Sequence, residues 1–452
     1  MSSFIGRCFP VPEDPSHLED RIIVFTRYPV PGKTKTRLIP DIGAYGAACL
    51  QCRMTRKTLA TVAMAAERGG IAVEVGYEGG FREDMRGWLG KGTIYSRQVG
   101  VDLGERMAHA FAGAFRAGCR KVVLLGADIP GLNFRHLLDS FSALEESDVV
   151  IGPSMDGGYW LIGMKKEECL FKDIGWGTDK VLNDTVRCAE KSGLTVTFAD
   201  RLIDIDRFRD LEASWPEEAA KRPFFSVIIP VLNEEENIGP LIEDIRDDEV
   251  EIIVVDGGSG DNTAAIAEKA GAVVLKGARC RGAQMNSGAS VAGGKILVFL
   301  HADTLLPAGF KKMIFDALVD SNTVLGAFRF KTDLDHPFMR FIEMCAYIRS
   351  RYMGFPYGDQ ALFLKKTHFE RYGGFPEIAI AEDLKFVSFL RKKGKIRTLP
   401  ACAVTSARRW RSVGLCKTTL INKVIELGII MGVSPRRLSS LYGFSKTGTS
   451  CK

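Results

Sequence analysis

The chain has 452 residues, 46% hydrophobic and 26% charged, with a mean hydropathy of +0.01. This is an ordinary globular composition, long enough for two or three domains, and no apolar run approaches the ~18 residues that would span a bilayer. A net charge of +6 is too mild to point to nucleic acid, and none is expected as a partner.

Residues 1–20, MSSFIGRCFPVPEDPSHLED, show no apolar segment followed by a small-residue cleavage site, so no secretory signal is expected there. The eleven cysteines are scattered without a framework, which fits reduced thiols and a cytoplasmic setting. Cys49 and Cys52 form a C-x-x-C inside a predicted helix. A second ligand pair at matching spacing is missing, so metal or redox use of this pair is not expected.

Along the chain, short apolar runs alternate with helical stretches. RIIVFTRYPVPG is followed by a predicted helix over about 43–68, then IAVEVGY, a helix near 104–117, and KVVLLGAD. The cycle restarts with FFSVIIPVLNEEENI, EIIVVDGGSGD, GAVVLKG and KILVFLHAD, each separated by a helical stretch. Regular β-α-β alternation predicts an α/β fold in two domains, 20–212 and 224–452, each a mostly parallel sheet with helices on both faces. The charged, proline-punctuated stretch DRFRDLEASWPEEAAKRPF between them reads as a linker. Ligands of such sheets sit beyond the carboxyl ends of the strands, and Asp128, Asp256 and Asp303 all fall at such ends. A buried carboxylate is costly without a partner, and a divalent ion is one candidate.

In the first half, Lys33, Lys35 and Arg37 of RYPVPGKTKTRLIP form either a phosphate-cradling loop or a basic surface turn. Asp156, Asp204 and Asp206 stand beside glycines or at strand ends in GPSMDGGYWLIG and LIDIDRFRDL. In the second half, Pro230, Asn233 and Glu234 end a strand, and Asp256 precedes a glycine-rich turn with Asp261 or Thr263 as a helix cap. Glu382 and Asp383 stand before an amphipathic helix, where capping is the alternative to chemistry. Eleven Lys and Arg and no acid lie between Leu384 and Ile425, a face suited to an anionic partner. In GLCKTTLINKVIELGIIMG, Leu420, Val424 and Leu427 form an apolar stripe flanked by Lys417 and Lys423, with Gly432 as the stop. The stripe reads either as packing on its own domain or as resting on an acidic membrane surface.

The second-half motifs, together with GARCRGAQMNSGASVAGGKILVFLHADTLLP, GDQALF, AEDL and TSARRW, resemble the family 2 inverting glycosyltransferases of GT-A fold. Within that group they are similar to the radical-SAM/selenodomain-associated type. The resemblance implies a nucleotide diphosphate sugar held by Pro230, Asn233, Glu234 and Asp256, with Mg²⁺ or Mn²⁺ on Asp303. It also implies Arg281, Arg409 and Trp410 at the diphosphate and sugar, His301 at the metal or the ribose, and Asp359 with Gln360 toward an acceptor that could be lipid-linked. Glu382 and Asp383 would be catalytic, Asp383 as the base. The family's usual Asp-x-Asp stands here as His301-Ala302-Asp303.

The first half resembles the companion transferase of the same association, which is similar to GT-A-like nucleotidyltransferases. That resemblance implies phosphate contacts from Lys33 and Arg37, a metal on Asp128 with Asp204 or Asp206, and substrate contacts from Asp156 to Tyr159. Together the two imply tandem GT-A-like domains: a nucleotidyltransferase-like unit, active or catalytically silent, fused to an inverting glycosyltransferase. A pair of pure binding modules is the remaining alternative.

Overall fold

The computed structural model describes residues 19–219, 223–431 and 433–439. Gly432, expected to stop the last long helix, lies outside the described residues, as do residues 1–18, which make up most of the segment read for a signal peptide. The chain divides into two compact units, 1–221 and 222–452.

The first unit holds seven strands: β1 (Asp20–Arg27), β2 (Ala72–Glu78), β3 (Ile94–Arg97), β4 (Lys121–Gly126), β5 (Val149–Pro153), β6 (Tyr159–Met164) and β7 (Val196–Phe198). They lie in the order β3-β2-β1-β4-β6-β5-β7. All neighbours are parallel except β6, which runs against both β4 and β5. The second unit has β8 (Phe225–Val231), β9 (Val250–Asp256), β10 (Val273–Lys276), β11 (Ile296–Phe299), β12 (Thr304–Leu305), β13 (Thr323–Thr332), β14 (Leu362–Lys365) and β15 (Lys395–Thr405). Their order is β10-β9-β8-β11-β14-β13-β15-β12, with β14 antiparallel to β11 and β13. Setting aside the two-residue β12, the second sheet repeats the strand order of the first. The central strands are apolar on both faces because helices cover them; Ile296–Phe299 is buried throughout.

The helix expected over 43–68 runs from Ile39 to Gly69, with non-helical backbone at Gly43 (φ 76°). The stretch read as a linker is largely folded. Helices Phe208–Ser214 and Pro216–Ala219 bury Leu211, Trp215 and Ala219 against Leu38, Leu50 and Met54. Arg53 and Lys57 both stand 4.9 Å from the Trp215 ring centre. These apolar residues recur every four positions among charges, a helical stripe that the charge content of the segment obscures.

The helix Leu415–Ile430 also departs from expectation. Ile421, Ile425 and Ile429 pack with Ile380, Val433 and Leu438, whereas Leu420, Val424 and Leu427 are exposed. The segment is apolar on more than one face, so periodicity alone does not say which face is covered.

Gln284, buried on the helix Arg281–Val291, ties this scaffold to the strand ends. Its Nε2 donates to the carbonyls of Val231 (3.1 Å) and Val255 (2.9 Å), where β8 and β9 finish. Gln284→Leu removes a donor from two buried carbonyls, of which Val231 O keeps the Gly257 N–H (2.9 Å), and should cost about 1–3 kcal/mol in urea unfolding of the full chain. A variant as stable as the parent would show that these carbonyls need no such donor.

Candidate functional site

In the second unit the expected residues gather beyond the carboxyl ends of β8, β9 and β11. Asn233 has left-handed backbone (φ 56°); its N–H donates to Ser259 Oγ (2.9 Å) and its Oδ1 accepts from Gly260 N–H (2.8 Å). The buried Asp256 accepts from Ser259 N–H (3.0 Å) and from the Ser259 hydroxyl. These bonds lock the β8 and β9 loops together. Pro230 lies within β8, half-buried. Asp261 accepts from Thr263 N–H (3.1 Å) and its hydroxyl at the start of the helix Thr263–Lys269.

Asp303 follows β11. Its pKa is raised, first by burial and then by Glu234, against the pull of Arg408 and Arg281. Glu234 accepts from Arg408 Nη2 (2.8 Å) and from Asn237 (2.6 Å). The cation bonded to Glu234 is Arg408, the chain neighbour of the expected Arg409. Trp410 packs 6.1 Å from Phe330, its indole N–H buried without a partner.

Glu382 and Asp383 lie in the first turn of the helix Glu382–Leu390, not ahead of it. Asp383 Oδ2 accepts from Gly358 N–H (2.7 Å) and Oδ1 from Leu384 N–H (2.7 Å). Glu382 is buried and its pKa is pushed up to about 7 by that burial, then offset by Arg281, whose Nε is 3.9 Å from Glu382 Oε1. His301 is held neutral, its pKa drawn down to about 3 by burial and then by Arg281. A Cβ at Gly358 would lie 3.0 Å from His301 Nε2 and 3.3 Å from Asp383 Oδ2. Glycine lets the backbone pass here without crowding either group.

Asp359 carries a pKa raised to about 6, by burial foremost; Arg349 opposes this, while Asp383 and Asp303 add to it. Its Oδ1 is buried without a partner. Gln360 is inaccessible: its amide accepts from Tyr357 N–H (3.1 Å) and donates to Phe328 O (2.8 Å). Its contacts are those of a residue that shapes the loop. Arg349 and Arg408 are the charged residues that the sequence reading missed: Arg349 comes from the helix Pro337–Tyr352, for which no motif was recognised, and Arg408 stands inside TSARRW beside the expected Arg409.

Among the described residues no three His, Cys, Asp or Glu side chains could by themselves hold a metal ion. Glu234 is taken up by Arg408, but Asp303 still fits an ion shared with a ligand, since Mg²⁺ is commonly held by one or two carboxylates together with substrate phosphates.

The first unit differs. Lys35, left-handed at φ 48°, donates from Nζ to Asp128 Oδ2 (2.7 Å) and to Ile205 O (2.6 Å). Arg37 pairs with Asp206. Asp204 has a pKa raised to about 6 by burial, then by Asp156 and Asp128. Asp156 is exposed and accepts from Gly158 N–H (3.0 Å) and Ser154 Oγ. Burial raises the Tyr159 phenol pKa, and Lys33 is exposed. The carboxylate expected to take a metal already holds an ammonium, so this arrangement does not fit a divalent ion on Asp128.

Residues 226–375 match the family model described as glycosyl transferase family 2, and residues 61–178 match one described as an uncharacterized protein conserved in bacteria. No curated protein matches the chain. Among solved structures, one from Desulfovibrio desulfuricans G20, provisionally described as a nucleotide-diphospho-sugar transferase, is 35% identical. It covers 43% of this chain and 85% of its own, with a TM-score of 0.40. A mannosyltransferase from Pyrobaculum calidifontis, in complex with GDP-Man and Mn²⁺, is 21% identical over 41% of this chain and 57% of its own, TM-score 0.34. TarS from S. aureus is 20% identical over 40% and 36%, TM-score 0.33. The strand order shared by the two α/β units and the family 2 match at 226–375 agree with the expected GT-A-like fold.

Asp359, half-buried with its Oδ1 enclosed, yields a pH prediction. With a folded-state pKa near 6 and an ordinary value of 3.8, the native state holds its proton more tightly than the unfolded chain. The penalty for ionising it is absent below about pH 4 and complete above about pH 6 to 7. The stability of Asp359→Asn relative to wild type should therefore rise with pH across that window, by up to about 3 kcal/mol. A difference flat in pH would contradict this assignment; urea titrations at several pH values read it.

Proposed function

Taking the family 2 glycosyltransferase domain at residues 226–375 as premise, we propose that the second unit transfers a sugar from a nucleotide diphosphate sugar to an acceptor hydroxyl with inversion. The observation that carries this reading is Asp383. Its carboxylate is aimed by two backbone N–H groups, in a cluster where Asp359 feels both Asp383 and Asp303.

In this reading Asn233, Glu234 and Asp256 shape the nucleoside side, and Arg281 and Arg408 face the diphosphate. The acceptor hydroxyl attacks the anomeric carbon from the face opposite the diphosphate. As the new C–O bond forms and the bond to diphosphate breaks, the hydroxyl proton passes to Asp383, whose oxygens each keep a lone pair beyond the bond they accept. Glu382, with its proton affinity near neutrality, and neutral His301 limit the negative charge around that base. Mg²⁺ or Mn²⁺ on Asp303, when bound, supplies Lewis-acid stabilisation of the leaving diphosphate. The paired state of Lys35 and Arg37 favours reading the first unit as a nucleotide-binding partner over a second catalytic centre.

Asp383→Asn keeps shape and hydrogen bonding but loses the basic oxygen. It should leave donor affinity near normal and slow transfer by roughly 10²–10⁴-fold. Asp303→Asn should weaken Mn²⁺-dependent donor binding as well. Calorimetry with nucleotide sugars and turnover assays separate the two; wild-type turnover by Asp383→Asn would move the base elsewhere.

A peripheral contact with anionic membrane belongs to the same reading. The helix Leu415–Ile430 exposes Leu420 and Leu427, and the helix Pro337–Tyr352 exposes Phe341, Met344, Ile348 and Tyr352 at helical spacing. Arg409, Arg411, Lys417 and Lys423 belong to the acid-free basic stretch that leads into the first of these helices. Among the described residues no helix is long and apolar enough to cross a membrane. The chain should sediment with anionic vesicles at low salt, less so as salt shortens the ~10 Å Debye length, and Leu420→Asp should weaken binding. No sedimentation at low salt would leave these stripes without a membrane role.

A further inference from the structure

The first unit has the same strand order as the second, and its carboxylates stand at the same address: Asp128 beyond β4, as Asp303 stands beyond β11. What differs is the cation beside them. Lys35 leaves the loop after β1 in a left-handed conformation and brings its ammonium to Asp128 Oδ2 at 2.7 Å and to the carbonyl of Ile205 at 2.6 Å. The Lys35 side chain is only 12% exposed. Asp204 lies near enough to Asp128 and Asp156 to feel both carboxylates, and Lys35 acts against them.

We infer that Lys35 is the resident cation of the first unit, occupying the place a divalent ion would take, so that this unit meets a phosphate-bearing ligand without a bridging metal. Geometry and charge agree on this. An ammonium at hydrogen-bond distance from Asp128 excludes a cation from that oxygen, and it supplies the positive charge that the Asp128, Asp156 and Asp204 group requires. An ammonium has three N–H donors; two go to Asp128 and Ile205, and the third is left for an oxygen of the ligand. The left-handed backbone at Lys35, unusual for a side chain of this kind, is what swings the ammonium inward while Lys33 and Arg37 stay at the exposed loop surface. The inference rests on the first unit alone and stands apart from glycosyl transfer by the second.

Direct Mn²⁺ binding to the full-length chain, followed by loss of the free-ion EPR signal, tests it without any activity assay. Asp303→Asn serves as background, and ion retained by the second unit is identified as that which survives adding Asp128→Asn. In this background Lys35 intact should give no Asp128-dependent Mn²⁺, and Lys35→Ala should gain one such site. Lys35→Arg, which keeps the charge, should gain none. Asp128-dependent Mn²⁺ binding with Lys35 intact would overturn the inference, because the ion would then displace the ammonium. No gain in a folded Lys35→Ala chain would overturn it equally, since the carboxylates would then not form a cation place. Lys35→Gln is the substitute should the alanine variant fail to fold, and thermal unfolding checks both.

Discussion

Carboxylates crowded at the buried ends of parallel strands must be compensated, and this requirement organises both units. Charge desolvated at a strand end is tolerable only when it is paired, hydrogen-bonded or protonated, and all three solutions occur here. In the second unit Asp383 takes two backbone N–H bonds, Glu234 takes Arg408, and Glu382 and Asp359 retain protons toward neutral pH. Arg281 and Arg349 reach in as partial counter-charges. In the first unit the compensation is internal, through Lys35.

Compensation at such short range needs unusual backbone. Of the five non-glycine residues with positive φ among the described residues, four are Lys35, Asn233, Ala361 and Ala381. Each begins or closes a loop that presents a site group: the ammonium, the β8 loop, the Asp359 turn and the Glu382–Asp383 pair. Such conformations cost free energy and persist where the surroundings over-determine them. Here the surroundings are identifiable, in the Asn233 bonds to Ser259 and Gly260 and in the close passage of Gly358 past His301.

The same topology used twice explains how one scaffold carries two electrostatic outcomes. The strand order puts the loops after the first, second and fourth strands of each sheet at one edge of the site. What each loop carries is free to vary, because the core behind it is held by apolar side chains such as Ile23 and Leu124 in one unit and Ile228 and Leu297 in the other. Function therefore sits in the loop chemistry and not in the sheet.

Local pattern made much of this legible from the residues alone. Apolar runs ending in Asp128, Asp256 and Asp303 identify strands and place their carboxylates, because a two-face-buried strand has a period that charge interrupts only at its end. The alternation of runs and helices likewise carries the α/β class. Other features depended on pairings that no local pattern encodes. Lys35 meets Asp128 across 93 positions and Arg408 meets Glu234 across 174, so the neighbour of each charge is set by topology. The charged segment around Trp215 and the helix bearing Leu420 had apolar stripes in plain view, yet which face is covered depends on what stands opposite in three dimensions. Gln360 and Asp359 are adjacent in the chain but differ in fate: one amide is consumed by Tyr357 and Phe328, while its neighbour keeps an unpartnered carboxyl oxygen. Residue type and spacing settle which groups are brought to the strand ends; tertiary packing alone settles which of them remain available for chemistry, because availability is what is left after burial and pairing.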